Sequence, residues 1–264
     1  MDLQSKKLFL LDMDGTIYLD DQLFPGVLEF LALVKERGGR AVFMTNNSSR
    51  GIDDYLLKLK RLGIEAAASD FVTSTDATIE VLQREYPGAR LYVLGTQSFQ
   101  EQLLQAGIRL TDQADDSADI LLAAFDRELN YRKLEDACRL LTRDIPFLAT
   151  NPDWVCPVSF GFVPDCGSIC EMLWRATGKR PRIIGKPQPE MVELALKRSG
   201  FRKEETLVIG DRLYTDIACG LNAGVDTAFV LSGEGKEEDI AAMGIRPGAV
   251  YPDIAAILAG LKGE

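Results

Sequence analysis

Short, nearly unbroken apolar runs alternate along the chain with stretches in which apolar positions recur at helical spacing. The runs are too short for helices and are flanked by charged or turn-forming residues. They predict strands at 7–12, 40–45, 71–74, 91–95, 119–125, 146–150, 182–185, 206–210 and 226–231. The periodic stretches predict helices at 26–37, 51–62, 76–85, 97–106, 131–143, 168–177, 188–199, 214–223 and 236–243. The first of these stops at Gly38-Gly39, where glycine accommodates the backbone that closes a helix. Strands apolar at every position are buried on both faces, so the expected fold is α/β, a Rossmann-like doubly wound parallel sheet with helices on either side.

Turn-rich punctuation at Tyr86-Pro87-Gly88 and again at Gly178-Lys179-Arg180-Pro181 brackets strand candidates sufficient for a small α/β unit. The expected organisation is a main domain from 1–78 and 181–264, interrupted by an inserted smaller α/β domain at 79–180. At 264 residues both can hold a core.

The ends of the predicted strands change the picture from architecture to chemistry. The run Leu8-Phe9-Leu10-Leu11 stops at Asp12-Met13-Asp14-Gly15-Thr16. Two residues apart on extended chain, Asp12 and Asp14 start on one face at the carboxyl edge of the sheet, where open α/β sheets bind ligands. Crowded like charges are costly unless a cation or a shared proton relieves them. The strand at 40–45 ends in Thr45-Asn46-Asn47-Ser48-Ser49-Arg50, a hydroxyl and backbone N–H groups ahead of a helix, suited to cradling an oxyanion. Ile183-Ile184-Gly185 leads to Lys186, followed by Pro187 and Pro189, which stiffen the turn. Leu207-Val208-Ile209-Gly210 ends in Asp211, with Asp216 close behind. Singly, each has a plain structural explanation as a helix cap, a solvated turn or a surface lysine. Asp216 in particular could cap a helix at 217–223 or orient a metal-bound water. Four successive strand ends make coincidence a poor account.

Composition narrows the chemistry further. The chain has no histidine, which removes the commonest general base, Ser/His and Cys/His dyads and histidine-ligated zinc. Its five cysteines form no C-x-x-C pair and none precedes an arginine at C-x5-R spacing, so they read as buried thiols. A net charge of −10 argues against nucleic acid as a partner, but not against a small phosphorylated one. No apolar run approaches bilayer length, and Met1-Asp2-Leu3-Gln4 does not open a signal peptide. The expectation is a cytoplasmic protein with no membrane partner.

In order, and over nearly the whole chain, Asp12-Met13-Asp14-Gly15-Thr16, Thr45-Asn46, Lys186 and Gly210-Asp211 with Asp216 resemble the four motifs of the haloacid dehalogenase superfamily. Too few residues separate Thr16 from Thr45 for an inserted domain, whereas the stretch from Thr45 to Lys186 has ample room, as in the family's C2-capped class. Thr45-Asn46-Asn47-Ser48-Ser49-Arg50, Asn151-Pro152-Asp153 and Gly185-Lys186-Pro187-Gln188-Pro189-Glu190 are similar to its class IIA, NagD-like, 4-nitrophenylphosphatase-like branch.

The resemblance implies a Mg²⁺-dependent phosphatase acting on small phosphomonoesters through an aspartyl-phosphate. Asp12 would be the nucleophile and Asp14 the general acid and base, aided by the neighbouring anion, which favours its protonated form. Thr45, Asn46, Asn47 and Lys186 would bind phosphate, with Asn46 and Asn47 acting through their backbone. Asp12, Asp14 (through its main-chain carbonyl) and Asp211 would ligate Mg²⁺, with Asp216 behind them. The inserted domain would close over the site and contact the leaving group. Its stretch Asn151–Ser168 carries Trp154, Phe160 and Phe162, which could stack on a planar substrate, pack the insert's core or form a homodimer interface through the cap. Phosphotransfer or mutase chemistry is the nearest alternative, and a phospho-accepting receiver a more distant one. Receivers are about half this length and keep their acidic pair and phospho-acceptor on separate strands. Gly233-Glu234-Gly235-Lys236 lacks the upstream glycine of a P-loop and reads as a polar loop opening the helix at 236.

Overall fold

A computed structural model describes residues 1–158 and 160–264. The chain divides into two compact units. The first comprises Met1–Thr45, Ile52–Val72 and Lys186–Glu264; the second comprises Asn46–Gly51 and Thr73–Gly185.

In the first unit the strands run in the order Ala249–Tyr251, Asp226–Val230, Thr206–Gly210, Leu8–Leu11, Arg40–Thr45, with Phe71 and Val72 of the strand Phe71–Thr73 at the edge. The pairings of Leu8–Leu11 with both its neighbours are parallel, as are those out to Ala249–Tyr251. All four side chains of Leu8–Leu11 are buried, as a central strand covered on both faces requires. Phe9 meets Phe30 of the helix Val27–Glu36 edge-on, with ring centroids 5.3 Å apart. Leu11 lies opposite Ile209 on one side and Phe43 on the other. That register brings Asp12, Thr45 and Asp211 out at the same edge of the sheet.

The second unit has its own parallel sheet, in the order Arg182–Ile183, Phe147–Ala149, Ile120–Ala123, Arg90–Leu94, Arg109–Thr111. Its core gathers Tyr92, Leu94, Leu121, Ala123 and Phe147 with Ile169 and Leu173 of the helix Cys166–Thr177. Arg182–Ile183 pairs with Leu148 and Ala149, so the segment reaching Gly185 goes with this sheet rather than with the chain that follows it.

Differences from the expected elements have local causes. The strands Arg109–Thr111 and Ala249–Tyr251 lie at sheet edges, are only partly buried and carry no apolar run. The helix Ile254–Lys262, capped by Asp253, was not among the expected elements although Ile254, Ile257, Leu258 and Leu261 recur at helical spacing. The expected helix at 214–223 opens with a wider π-helical turn, Leu213–Ile217, before the α-helix Ala218–Ala223. Packing of Trp154, Phe160 and Phe162 into the core of the insert is corrected: they are 56%, 81% and 67% exposed. They lie on or beside an antiparallel hairpin, Val155–Val158 with Gly161–Pro164, rather than in the parallel sheet of their unit. Among the described residues no helix is long and apolar enough to cross a membrane.

Candidate active site

The apolar strand Leu8–Leu11 ends at Asp12, whose N–H continues the ladder by donating to the Ile209 carbonyl at 2.9 Å. Its carboxylate turns to Lys186, with Nζ 2.5 Å from Asp12 Oδ1. The same ammonium lies 2.7 Å from Asp216 Oδ1 and donates to the Met44 carbonyl at 3.3 Å. Lys186 is 2% exposed and Asp216 1%, so these are desolvated contacts in which charge attraction is strong.

Asp211 follows the strand Thr206–Gly210 and is also buried. Its Oδ2 accepts from the N–H of Glu234 at 2.7 Å, and its Oδ1 from the Thr16 hydroxyl at 3.4 Å. Glycine is needed on two sides of this carboxylate. A Cβ at Gly15, where φ is 89°, or at Gly233 would run into the carboxylate of Asp211. Ser232 ties the two loops together by donating to the Gly15 carbonyl at 2.7 Å. Gly210 similarly leaves room for Asp216, whose side chain a Cβ there would overlap. The π-helical turn carries Asp216, and its Oδ2 accepts from the Arg212 N–H at 3.1 Å. Asp216 is therefore a direct partner of Lys186 rather than a cap for a helix at 217–223.

One oxygen each from Asp12, Asp211 and Asp216 fall within 4.8 Å of one another. The Arg212 guanidinium is paired with Glu234, Nε to Oε2 at 2.9 Å, and also feels the charges of Asp12 and Asp216, while Lys186 touches Asp12 and Asp216 directly. Burial, then the charge on Asp216, pushes the Asp12 carboxyl well above the usual range, and Lys186 only partly offsets this. The same two causes, in the same order, raise Asp211 to about 6. Burial alone would lower the Lys186 ammonium, but Asp12 and Asp216 reverse that and hold it charged. Asp12, Asp211 and Asp216 together with Glu234 outnumber Lys186 and Arg212, so the group keeps an excess of negative charge. Its donors are all oxygen, the set preferred by hard divalent cations.

The remaining expected residues divide. Thr45 ends its strand and is buried. The Asn46 side chain is committed within the second unit, donating to Asp153 Oδ2 at 2.8 Å, while its carbonyl accepts from Ser74 Oγ at 2.7 Å. The Asn47 side-chain oxygen accepts from both the N–H and the hydroxyl of Ser49, at 2.9 and 2.8 Å. Any role for these two asparagines at a phosphate falls to their backbone. Asp14 stands apart from the acid group: Lys58 Nζ lies 3.4 Å from its Oδ1 and the Tyr18 hydroxyl 3.5 Å from its Oδ2. The contacts of Lys58, Tyr18 and the Ser232–Gly235 loop went unread in the sequence. The two glycines of that loop were the available signal.

The geometry of one carboxylate fixed against a buried ammonium, with two more beside it, suits nucleophilic attack on an electrophile held by a cation. A haloacid dehalogenase-like hydrolase model matches residues 9–109, and a second, HAD-hydrolase-like, matches 183–257. The chain is 34% identical over 246 residues to the ribonucleotide monophosphatase NagD of Escherichia coli, covering 93% of this chain and 96% of that protein. The crystal structure of a 4-nitrophenylphosphatase from Thermotoga maritima superposes with a TM-score of 0.92 at 38% identity, covering 99% of each chain. A glycerol phosphate phosphatase from Mycobacterium tuberculosis in complex with magnesium does so with a TM-score of 0.89 at 31% identity, covering 97% of this chain and 77% of that one. The same protein has also been solved with calcium.

Proposed function

The chain belongs to the haloacid dehalogenase-like hydrolases, in their NagD-like branch, and from that premise we propose that it is a Mg²⁺-dependent phosphatase of small phosphomonoesters working through an aspartyl-phosphate on Asp12. The observation that carries this reading is the Lys186 ammonium shared between Asp12 and Asp216 beside Asp211. The named relatives are phosphatases whose names point to different esters, ribonucleotides, 4-nitrophenyl phosphate and glycerol phosphate. What those esters share is the phosphoryl group, so the reading stops at that class.

The donor set fits a divalent ion, because the acids are oxygen ligands, lie close together and carry more charge than Lys186 neutralises. Asp12, Asp211 and the main-chain carbonyl of Asp14 would hold it, with Asp216 keeping Lys186 in place. When bound, a divalent cation supplies positive charge to the phosphoryl oxygens and to the attacking carboxylate.

Lys186 fixes one oxygen of Asp12 and leaves the other to attack phosphorus. As the new O–P bond forms, the ester P–O bond breaks and its electron pair goes to the leaving oxygen. That oxygen takes the proton of the Asp14 carboxyl and departs as an alcohol. A water then attacks phosphorus and gives its proton to Asp14, and the bond to Asp12 breaks, releasing inorganic phosphate. Each residue ends in its starting state. Thr45 and the backbone at Asn46 and Asn47 hold the phosphoryl oxygens. The rate gain comes from charge set in place before the reaction, with little movement during it.

The test is acid quenching during turnover of a ³²P-labelled phosphomonoester with Mg²⁺, followed by peptide mapping. Label is expected on the peptide containing Asp12 and absent in Asp12→Asn. Label on another residue, or turnover retained in Asp12→Asn, overturns the reading.

A further inference from the structure

Asp14 is the exposed member of the expected machinery, its side chain 54% accessible. A carboxylate so placed has free rotamers, and fixing it costs conformational entropy. Here both of its oxygens face a donor. Lys58 Nζ lies 3.4 Å from Oδ1, and the Tyr18 hydroxyl lies 3.5 Å from Oδ2. The two donors also touch each other, because the ammonium sits 3.7 Å from the centroid of the Tyr18 ring. The three groups form a closed triangle.

Neither donor has the freedom of an ordinary surface residue. Tyr18 is wholly buried in the core of its unit, so its hydroxyl is a rigid post. Its backbone is pinned as well: the Gly15 N–H donates to the Tyr18 carbonyl at 2.8 Å, closing the turn that carries Asp14. Lys58 belongs to the last turn of the helix Ile52–Arg61, where a cation is favoured by the helix dipole, and its side chain is only 21% exposed. A solitary surface ion pair would be worth little. An ammonium held on one side by an aromatic face and on the other by a carboxylate is better ordered.

We propose that Lys58 and Tyr18 are positioning residues that aim the Asp14 carboxyl at the leaving oxygen. The inference rests on Asp14 being the general acid of the reading above. Proton transfer depends steeply on alignment, so an Asp14 left to rotate would spend much of its time turned away from the ester. An alkyl ester suffers from this, because its oxygen must gain the Asp14 proton as the P–O bond breaks. A 4-nitrophenyl ester suffers less, because the phenolate leaves with its electron pair and no proton.

The experiment compares kcat/KM for glycerol phosphate and 4-nitrophenyl phosphate at saturating Mg²⁺. This ratio reports on steps up to release of the alcohol and is blind to hydrolysis of the phospho-enzyme. Lys58→Met is expected to lower kcat/KM for the alkyl ester roughly tenfold more than for the aryl ester. Tyr18→Phe should do the same to a smaller degree, since it keeps the ring and loses only the hydroxyl. Lys58→Arg should restore most of the alkyl activity. Asp14→Asn measured alongside separates the two readings. If Asp14→Asn discriminates between the esters and Lys58→Met slows both equally or neither, positioning is overturned and the role of Asp14 stands. If Asp14→Asn shows no discrimination, the general-acid assignment falls and positioning with it. A fall in melting temperature in Lys58→Met with unchanged ester discrimination also overturns the proposal.

Discussion

Each unit of this protein buries a polar cluster beside the ends of its parallel strands, and the two clusters are balanced in opposite ways. In the second unit, Asp153 and Asp165 accept from side-chain amides. The Asn151 amide donates to Asp153 Oδ2 at 2.8 Å and to Asp165 Oδ1 at 3.1 Å, and Asn46 Nδ2 donates to Asp153 at 2.8 Å. Thr150 donates to the Asn151 oxygen at 2.8 Å, and its hydroxyl lies 3.0 Å from that of Ser48. Ser48 in turn accepts from the Phe125 N–H at 3.0 Å. Each side chain fixes the orientation of the next. The first unit has three acids around one ammonium, and burial drives two of those acids toward protonation. A network of amides and hydroxyls settles structure. A cluster left overcharged can do chemistry, because it gains a cation or a phosphoryl group at a profit that the settled network does not have.

The contrast predicts opposite responses to removing a carboxylate or its partner. Asp12→Asn should cut turnover of 4-nitrophenyl phosphate by roughly 10⁴-fold or more, since it removes the proposed nucleophile. Its melting temperature without metal should hold or rise, because one of three crowded charges has been removed while Lys186 keeps Asp216. A metal-free Asp12→Asn protein much less stable than the parent would mean that this cluster, like the other, is structural. Next in size comes the metal. EDTA should lower activity by about 10³-fold, and added Mg²⁺ should restore it and raise the melting temperature. Activity unaffected by exhaustive chelation would leave the excess charge without its counter-ion and break the comparison.

Asn151→Ala tests the settled cluster. It takes one donor from each of two buried carboxylates and should cost about 3 kcal/mol in a denaturant titration. Turnover per folded molecule should stay within about threefold of the parent, because the proposed reaction gives Asn151 no part in phosphoryl transfer. Loss of turnover without loss of stability would place Asn151 on the chemical side of the divide.

The two clusters were not equally legible in the sequence. The core strands and the acids at their ends stood out because a fully buried strand is written as an unbroken apolar run, and a carboxylate at its end breaks the pattern abruptly. Leu8–Leu11 before Asp12 and Thr206–Gly210 before Asp211 have this form. Lys186 could be read because prolines follow it. The edge strands Arg109–Thr111 and Ala249–Tyr251 could not, since a half-covered strand at an edge needs no apolar run. The Asn151 network was invisible as a network: its members come from 46, 48, 150, 151, 153 and 165, and only the fold makes them neighbours. Lys58 at Asp14 was hidden for the same reason. On an amphipathic helix it reads as one more solvated lysine, and Tyr18 beneath it as one more core aromatic.

The smallest expected effect concerns pH, and it isolates the overcharged cluster from everything else. The Asp211 carboxyl is raised to about 6 by burial and by the charge on Asp216, against about 3.9 for an unfolded aspartate. The folded protein therefore holds that proton more tightly than the unfolded chain does. The stability it contributes is complete below pH 3.9 and is lost as pH rises through 6. Exposed pairs act elsewhere: Glu85 is lowered to about 2 by its hydrogen bonds from Arg182 and Arg84, so what it contributes is present above the ordinary carboxyl range and lost only in acid. Between pH 5 and 7 the metal-free protein should thus lose a few degrees of melting temperature, a slope with the opposite sign to common acid denaturation. Saturating Mg²⁺ should flatten or invert the slope by holding the acids ionised, and Asp211→Asn should flatten it without metal. A slope that survives Asp211→Asn would belong to another group, Asp12 being the first to try because burial drives it the same way. A metal-free melting temperature that rises from pH 5 to 7 would mean that Lys186 already balances the acids, and the difference between the two clusters would disappear.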